Sequence, residues 1–99
     1  MSYQYIYTPL ALLEYKDAIS WYYERSVRTA ENFVLATSAK IKSICHTPLR
    51  FRNTYKQFRE ASLKKYPYCI VYFIDEPKKK VVITAVYHQK KNPAKKFRT

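Results

Sequence analysis

Glycine is absent from this chain of 99 residues. Every turn must therefore use Pro, Asn, Asp or a residue held in a strained conformation. Long hydrophobic runs are also missing: none approaches the about 20 apolar residues that a membrane-spanning helix needs. No basic start leads into an apolar segment of the kind that signal peptides carry. We therefore expect a cytoplasmic protein with one domain, residues 1–99, and a single modest core.

Cysteine is scarce, and its two copies are far apart. Cys45 and Cys69 lie in apolar surroundings and form no CxxC pair. Both are predicted to be reduced, small core residues rather than a disulfide or zinc ligands. We expect neither a metal nor a cofactor.

Acidic residues are few in the second part of the chain, where the positive charge is concentrated. The net charge is +12. Residues 1–39 carry three Lys or Arg and four acidic residues, whereas residues 40–99 carry sixteen Lys or Arg and only three acidic residues. One part of the molecule should therefore present a positive field to an anionic partner, either a nucleic acid or an acidic protein. The alternative is that the lysines only keep a small domain soluble.

Two helices are predicted near the start of the chain. Thr8 and Pro9 form an N-cap followed by proline at the first helical position, where its missing N–H costs nothing. Apolar residues then recur at helical spacing over residues 9–25 and 28–46, so the two helices form a hairpin. The aromatic run Trp21–Tyr23 is predicted to belong to the core and its cover rather than to a base-stacking platform.

Four strands are predicted, one before the helices and three after them. They cover residues 3–8, 58–63, 67–74 and 80–88. The third is apolar on both alternating faces, which is typical of a central strand that is covered on both sides. Residues 49–56 are interpreted as a basic loop that leads into the second strand.

The predicted order β-α-α-β-β-β indicates an α+β fold. The simplest arrangement is a helical hairpin packed on one face of a small antiparallel sheet, with the other face partly open. The last two strands are predicted to pair around turn residues 75–79. A register that pairs Ile74 with Lys80 would place Tyr66 opposite His88, so that tyrosine and histidine share a face.

Two side chains are candidates for chemistry. His88 is the only histidine on a predicted strand, and its intrinsic pKa of about 6.5 suits proton transfer near neutral pH. No acid or second histidine is near it in sequence, so the alternative is a polar strand end that makes one hydrogen bond. Arg59 is the charged residue of the preceding strand best placed to point toward an anion, and a guanidinium can hold a phosphate bidentately.

Several lysines are candidates for binding a nucleic acid or another target. Lys64 and Lys65 crowd a turn between strands, where each ammonium can act as a point charge on a phosphate; the alternative is a solvated turn. The tail HQKKNPAKKFR has no acidic residue and interleaves its cations with proline and phenylalanine, so it can dock on a partner. Its candidate binding residues are Lys91, Lys95 and Lys96.

Four segments, taken in order, resemble the RelE/ParE family of bacterial toxins. They are ALLEYKDAISWYYERS, AENFV at the start of the second helix, LKKYPYCIVYFID and the closing VVITAVYHQKKNP. The resemblance runs almost end to end. It implies the toxin of a type II toxin-antitoxin pair, neutralised by a cognate antitoxin that wraps it with an extended or helical segment, and we expect that segment to be acidic.

The RelE-like branch of the family implies an enzyme. Its members cut mRNA in the ribosome and use Lys and Arg to hold the scissile phosphate while its 2′-hydroxyl attacks. They usually have arginine at the position of Cys69 and again after the last strand, where this chain has Gln89–Lys91. His88 lies where several nucleases carry histidine. In this interpretation the catalytic residues are His88, Arg59 and Lys90.

The ParE-like branch implies a binding protein. Its members resemble this chain in Tyr66-Pro67-Tyr68, which leads into the third predicted strand. They poison DNA gyrase without a catalytic constellation, so the basic half would supply an interface. We favour this branch, with DNA gyrase as the kind of target that is bound. The alternatives are a ribosome-dependent mRNA endonuclease and, with less support, a basic nucleic-acid-binding module.

Overall fold

The computed structural model describes residues 2–90, which form two helices and five strands. The elements are β1 (Gln4–Tyr7), α1 (Pro9–Arg25), α2 (Val27–His46), a 3-10 turn (Pro48–Arg50), β2 (Arg52–Tyr55), β3 (Phe58–Ser62), β4 (Tyr68–Asp75) and β5 (Lys80–His88). The helices pack on one face of the sheet. The α+β fold is therefore confirmed. Within this part of the chain, no helix has the length and apolar character that crossing a membrane requires.

The helical hairpin forms where its capping residues predict it. The Thr8 side chain caps α1, and Pro9 occupies the first helical position. Ser26 alone connects the helices: its N–H donates to the Tyr22 carbonyl at 2.8 Å, and its Oγ accepts from the Thr29 N–H at 3.2 Å. One residue therefore ends α1 and begins α2, which fixes the two helices side by side.

The strand order in the sheet is β1-β5-β4-β3-β2. β1 runs parallel to β5, and the three other pairs are antiparallel. The sheet is therefore mixed, rather than antiparallel throughout as expected. The helices carry the chain from one edge of the sheet to the other, and the three later turns bring it back until β5 meets β1.

The predicted basic loop at residues 49–56 contains the 3-10 turn and an edge strand, β2. The Asn53 amide holds the turn after β2, because its Nδ2 donates to the carbonyls of Lys56 at 2.9 Å and Phe58 at 3.0 Å. Lys56 has a φ of 49°, which shows how a turn is made without glycine. β2 was not predicted because its sequence RNTY has no apolar alternation; its pairing with β3 alone makes it a strand.

The turn between β4 and β5 is one residue shorter than predicted. Asp75 pairs with Lys80, whereas the sequence pattern places Ile74 there. Lys79 adopts a φ of 53° and closes the turn by donating its N–H to the Glu76 carbonyl. The predicted register is therefore wrong by one residue at this end of the hairpin.

A bulge on β5 changes the register once more. Thr84 is the extra residue, because the residues on either side of it pair with consecutive residues of β4. The result is that Tyr68, rather than Tyr66, lies opposite His88. Tyrosine and histidine do share a face, but the tyrosine is a different one.

The core has two parts, one on each face of the sheet. Between helices and sheet, the largest fully buried side chains include Phe33, Ile44, Ile70, Tyr72 and Ile83. A smaller buried cluster on the opposite face contains Phe58, Cys69, Val71, Ala85 and Tyr87. β4 is therefore buried on both faces, as predicted for a central strand. Cys45 and Cys69 are buried free thiols, as predicted.

Candidate functional site

His88 lies at the end of β5 on the side of the sheet that faces the helices. Its ring packs edge-on against Tyr68, with ring centroids 5.2 Å apart. A pocket of about 200 Å³ opens beside it, and α1 contributes Glu14, Asp17 and Trp21 to the lining. We call this the His88 pocket. The fold thus brings two carboxylates to a histidine that has no acid near it in sequence.

Glu14 holds the exposed edge of β5 inside this pocket. β1 ends at Tyr7, which pairs with Ile83, so the following residues of β5 have no strand on that side. The Val86 N–H donates to Glu14 Oε1 at 3.0 Å instead. An amide that would lack a strand partner is therefore satisfied by a charged acceptor from α1.

A backbone N–H donates a hydrogen bond to the ring of His88. Nδ1 accepts from the backbone N–H of Lys90 at 3.1 Å. The Lys90 contact comes from its backbone, and the residue is exposed.

Arg59 binds the chain itself. Its Nη1 donates to the Phe51 carbonyl at 2.7 Å and to the Leu49 carbonyl at 3.2 Å. Leu49 lies within the 3-10 turn, and Phe51 joins that turn to β2. The guanidinium therefore fixes this segment against β3.

The structure does not bring Arg59 and His88 together. Arg59 pairs with Tyr72, and His88 pairs with Tyr68, four residues further back along β4. Four residues of strand span about 13 Å, and two strand spacings span about 10 Å. The Cα atoms of Arg59 and His88 are therefore about 16 Å apart. Of the three residues that the nuclease interpretation combines, only His88 and Lys90 are neighbours.

Lys64 and Lys65 line a groove between α2 and the turn that joins β3 to β4. Its volume is about 590 Å³. The α2 side contributes a third lysine, Lys40, together with the small residues Ala36, Ala39 and Ser43. We call this the basic groove. Two lysines predicted to bind a target are therefore joined by one from a distant part of the sequence.

The opposite face of the sheet carries a buried carboxylate. Glu60 accepts from Arg52 Nη2 at 2.8 Å and from the Tyr87 hydroxyl. Burial and this hydrogen bond raise the pKa of Tyr87 above its ordinary value. The phenol therefore stays protonated at neutral pH, where it can donate a hydrogen bond but cannot act as a base.

Cys69 lies on the same face of the sheet, at the position where the RelE-like interpretation expects arginine. Its Sγ accepts from Gln89 Nε2 at 3.2 Å and lies 3.2 Å from Ser62 Oγ. A thiol is small enough to be buried between these two polar groups. The position contributes packing here and presents no cation.

Other predicted features fall outside these sites. Lys91, Lys95 and Lys96 lie outside the described residues, and their role stays a prediction. Among residues 2–90, no group of three or more His, Cys, Asp or Glu side chains is arranged to hold a metal ion.

Sequence reasoning missed the helical contributions to both sites, although helical spacing carries a signal for them. Glu14 and Asp17 are three residues apart, next to the buried Ala18, which places them on a face close to the sheet. Likewise, Ala36 and Lys40 are four residues apart, a spacing that places them on the same face of α2. The helical spacing and the strands were both visible in the sequence, but the packing that brings these helical residues next to particular strands was not.

Comparison with known proteins assigns the chain to a family. The profile described as "ParE toxin of type II toxin-antitoxin system, parDE" matches residues 5–93. The chain belongs to the ParE toxin family. This ParE-family toxin also resembles a solved structure, "Chromosomal ParDE TA system from P. aeruginosa", with a TM-score of 0.70. The two chains are 15% identical over 88% of this chain and 96% of the other, a likeness that shows the fold. No curated protein matches this toxin.

Proposed function

We propose that this ParE-family toxin stops bacterial growth in the cytoplasm by binding a cellular target such as DNA gyrase, without a reaction centre of its own. The observation that carries the proposal is the sheet register, which places the Cα atoms of Arg59 and His88 about 16 Å apart. A nuclease centre needs its phosphate-holding cation and its proton-transfer group within reach of one phosphodiester.

The local contacts of these residues support the same proposal. Arg59 is bound to two backbone carbonyls, so its guanidinium already has partners that a phosphate would have to displace. The Nδ1 atom of His88 accepts a backbone N–H. Both side chains therefore make hydrogen bonds within the fold. The clustered lysines are the groups best placed to bind a partner.

The His88 pocket favours a second candidate function. A histidine beside Glu14 and Asp17 has the composition of a general acid–base site, and Trp21 adds an aromatic surface on which a base could stack. In that case the toxin would cut mRNA in the ribosome without help from Arg59. His88 and the backbone-linked Lys90 would then form the centre.

The test compares both activities of the purified toxin. Gyrase supercoiling and gyrase-dependent DNA cleavage are measured on plasmid DNA, and cleavage of ribosome-bound mRNA is mapped by primer extension. We expect inhibited supercoiling and intact messages. New mRNA ends within reading frames, with gyrase unaffected, would reject the proposal in favour of the nuclease.

The variant His88→Ala separates the two candidates further. General acid–base catalysis contributes roughly 10²- to 10⁴-fold, so a nuclease would lose that factor in its cleavage rate. A binding toxin should keep its potency within about threefold. The matched control is His46→Ala, because His46 is an exposed histidine at the end of α2, away from the pocket.

A further inference from the structure

We infer that the basic groove is the docking site for an acidic segment of the antitoxin. The inference rests on the role of this chain as the toxin of a toxin-antitoxin pair, which the family match shows, and does not depend on gyrase as the target. Three features of the groove carry it: its dimensions, its charge and the chemistry of its floor.

The groove has the length of a short peptide segment. Its lining on α2 runs from Asn32 to Ser43, which corresponds to about 16 Å along a helix axis. That length accommodates about three turns of a helix or about five residues of extended chain. The small side chains of Ala36 and Ala39 between these ends allow a partner backbone to approach α2 closely.

The charge of the groove has one sign. Lys40, Lys64 and Lys65 line it, and no acidic residue does. Lys64 and Lys65 are exposed, and residues 2–90 offer their ammonium groups no ion pair. Three like charges around one depression repel one another, so carboxylates from a partner would lower the electrostatic energy of the site.

The floor of the groove favours a peptide over a nucleic acid. The methyl groups of Ala36 and Ala39 and the Leu63 side chain form an apolar surface that suits aliphatic side chains. The groove contains no arginine, the residue that holds phosphates bidentately. Its one aromatic residue, Tyr66, packs edge-on against Phe33 in the core, which leaves no stacking platform for bases.

Lysine footprinting of the toxin-antitoxin complex tests the inference. The toxin is co-expressed with its cognate antitoxin. Free toxin and complex are then acetylated with an amine-reactive reagent and analysed by mass spectrometry. We expect modification of Lys40, Lys64 and Lys65 to slow at least fivefold in the complex. Lys16 and Lys78, exposed lysines outside the groove, should react at unchanged rates. Equal reactivity of the groove lysines in both samples would overturn the inference.

Charge reversal of the groove lysines tests the same inference through the affinity for the antitoxin. The variant K40E/K64E/K65E should bind the antitoxin at least tenfold more weakly, because each attraction becomes a repulsion. The matched control K16E/K42E/K78E changes the net charge equally with exposed lysines outside the groove and should bind within about threefold of the original protein. Circular dichroism confirms that both variants are folded. Equal weakening in both variants would show that overall charge, and not this groove, determines affinity.

Two probes distinguish the chemistry of the ligand. A labelled peptide with glutamates on one face and leucines on the other should bind the free toxin and lose affinity in K40E/K64E/K65E. A single-stranded DNA oligonucleotide of equal charge should bind more weakly. Tighter binding of the oligonucleotide, lost in the same variant, would identify a nucleic-acid site and reject the peptide. The gyrase assay is independent of this test. If the groove lysines are not protected in the complex but the toxin still inhibits gyrase, only the docking inference is rejected.

Discussion

The His88 pocket and the basic groove flank the same aromatic wall but differ in charge and in what their side chains do. The wall is formed by Tyr22, Phe33, Tyr66 and Tyr68. The rings of Tyr22 and Phe33 contact each other and both of the other tyrosines, with ring centroids 5.0 to 6.2 Å apart. On one side α1 supplies carboxylates from the nearly neutral first part of the sequence. On the other side the groove collects lysines from the basic second part. The fold therefore keeps the two charge populations apart.

The two regions also differ in how far their polar groups serve the fold. In the pocket, Glu14 binds the Val86 amide and His88 accepts from Lys90. In the groove, Lys64 and Lys65 make no hydrogen bond to residues 2–90 through their side chains. Substitutions in the pocket should therefore change stability, whereas substitutions in the groove should change binding.

A substitution in the aromatic wall should lower stability more than any other substitution proposed here, because the wall supports both the His88 pocket and the basic groove. Phe33 is fully buried and contacts all three tyrosines. Phe33→Ala should lower the free energy of unfolding by about 3–5 kcal/mol, measured by urea denaturation, because it removes packing and leaves a cavity. Leu35→Ala on the exposed face of α2 is the control and should change it by about 0.5 kcal/mol or less. Similar losses in both variants would mean that the wall is not the centre of the core.

The pocket can be tested at Glu14. Glu14→Ala should lower the free energy of unfolding by about 1.5–3 kcal/mol, because the Val86 amide loses a charged acceptor at a strand edge. Glu14→Gln keeps an acceptor oxygen and should lose less than half as much. Amide hydrogen exchange at Val86 provides the local measurement. If exchange there is equally slow in Glu14→Ala, another group protects the amide.

The contribution of the buried Tyr72, on β4, can be tested through the pH dependence of stability. The Tyr72 hydroxyl donates to the Pro48 carbonyl, and burial raises the pKa of Tyr72 to about 12. A raised folded-state pKa contributes stability that is fully present below pH 10 and is lost as pH rises toward 12. Tyr72→Phe should cost about 1–2 kcal/mol at pH 7 through the lost hydrogen bond. It should also make the decline between pH 10 and 12 shallower.

Urea denaturation at pH 7 and at several values between pH 9 and 12 measures both effects. Tyr23→Phe is the control, because Tyr23 is exposed on α1, and it should keep the alkaline decline of the original protein. A decline that is unchanged in Tyr72→Phe would assign the effect to the other buried tyrosines.

The groove should give the smallest change in stability. Lys64→Gln/Lys65→Gln should alter the free energy of unfolding by no more than about 0.5 kcal/mol, since exposed charges without partners contribute little. At low salt the variant should be slightly more stable, because repulsion with Lys40 falls. Thermal denaturation at two salt concentrations measures this. A large loss of stability would mean that these lysines support the fold, and the groove would then not differ from the pocket in this respect.

Local chemistry was sufficient to predict the helices. Thr8 and Pro9 mark the start of α1, and the helical spacing of apolar residues defines both helices almost to the residue. β4 was equally clear, because both of its faces are apolar. In these segments the information lies within a few neighbouring residues.

Pairing and sites required information that local patterns do not carry. β2 is a polar edge strand, and the bulge at Thr84 shifts the register without a sequence signal. Arg59 looked available for an anion because its partners are backbone carbonyls, which a sequence does not distinguish. His88 was found, but the carboxylates beside it come from α1, more than 70 residues away in the chain. Lys64 and Lys65 were predicted, and their neighbour Lys40 was not.

The parallel pairing of β1 with β5 has a consequence for the synthesis of the protein. Gln4 pairs with Lys80, although the two residues are far apart in the chain. At translation rates of about 5–20 residues per second, the ribosome needs roughly 4–15 s to deliver the second strand after the first. A ribosome that stops before residue 80 releases a chain that lacks β5, the strand between β1 and β4. The completed fold therefore depends on translation beyond β5, and a cell that is making this toxin has several seconds in which the sheet of the new chain is not yet assembled.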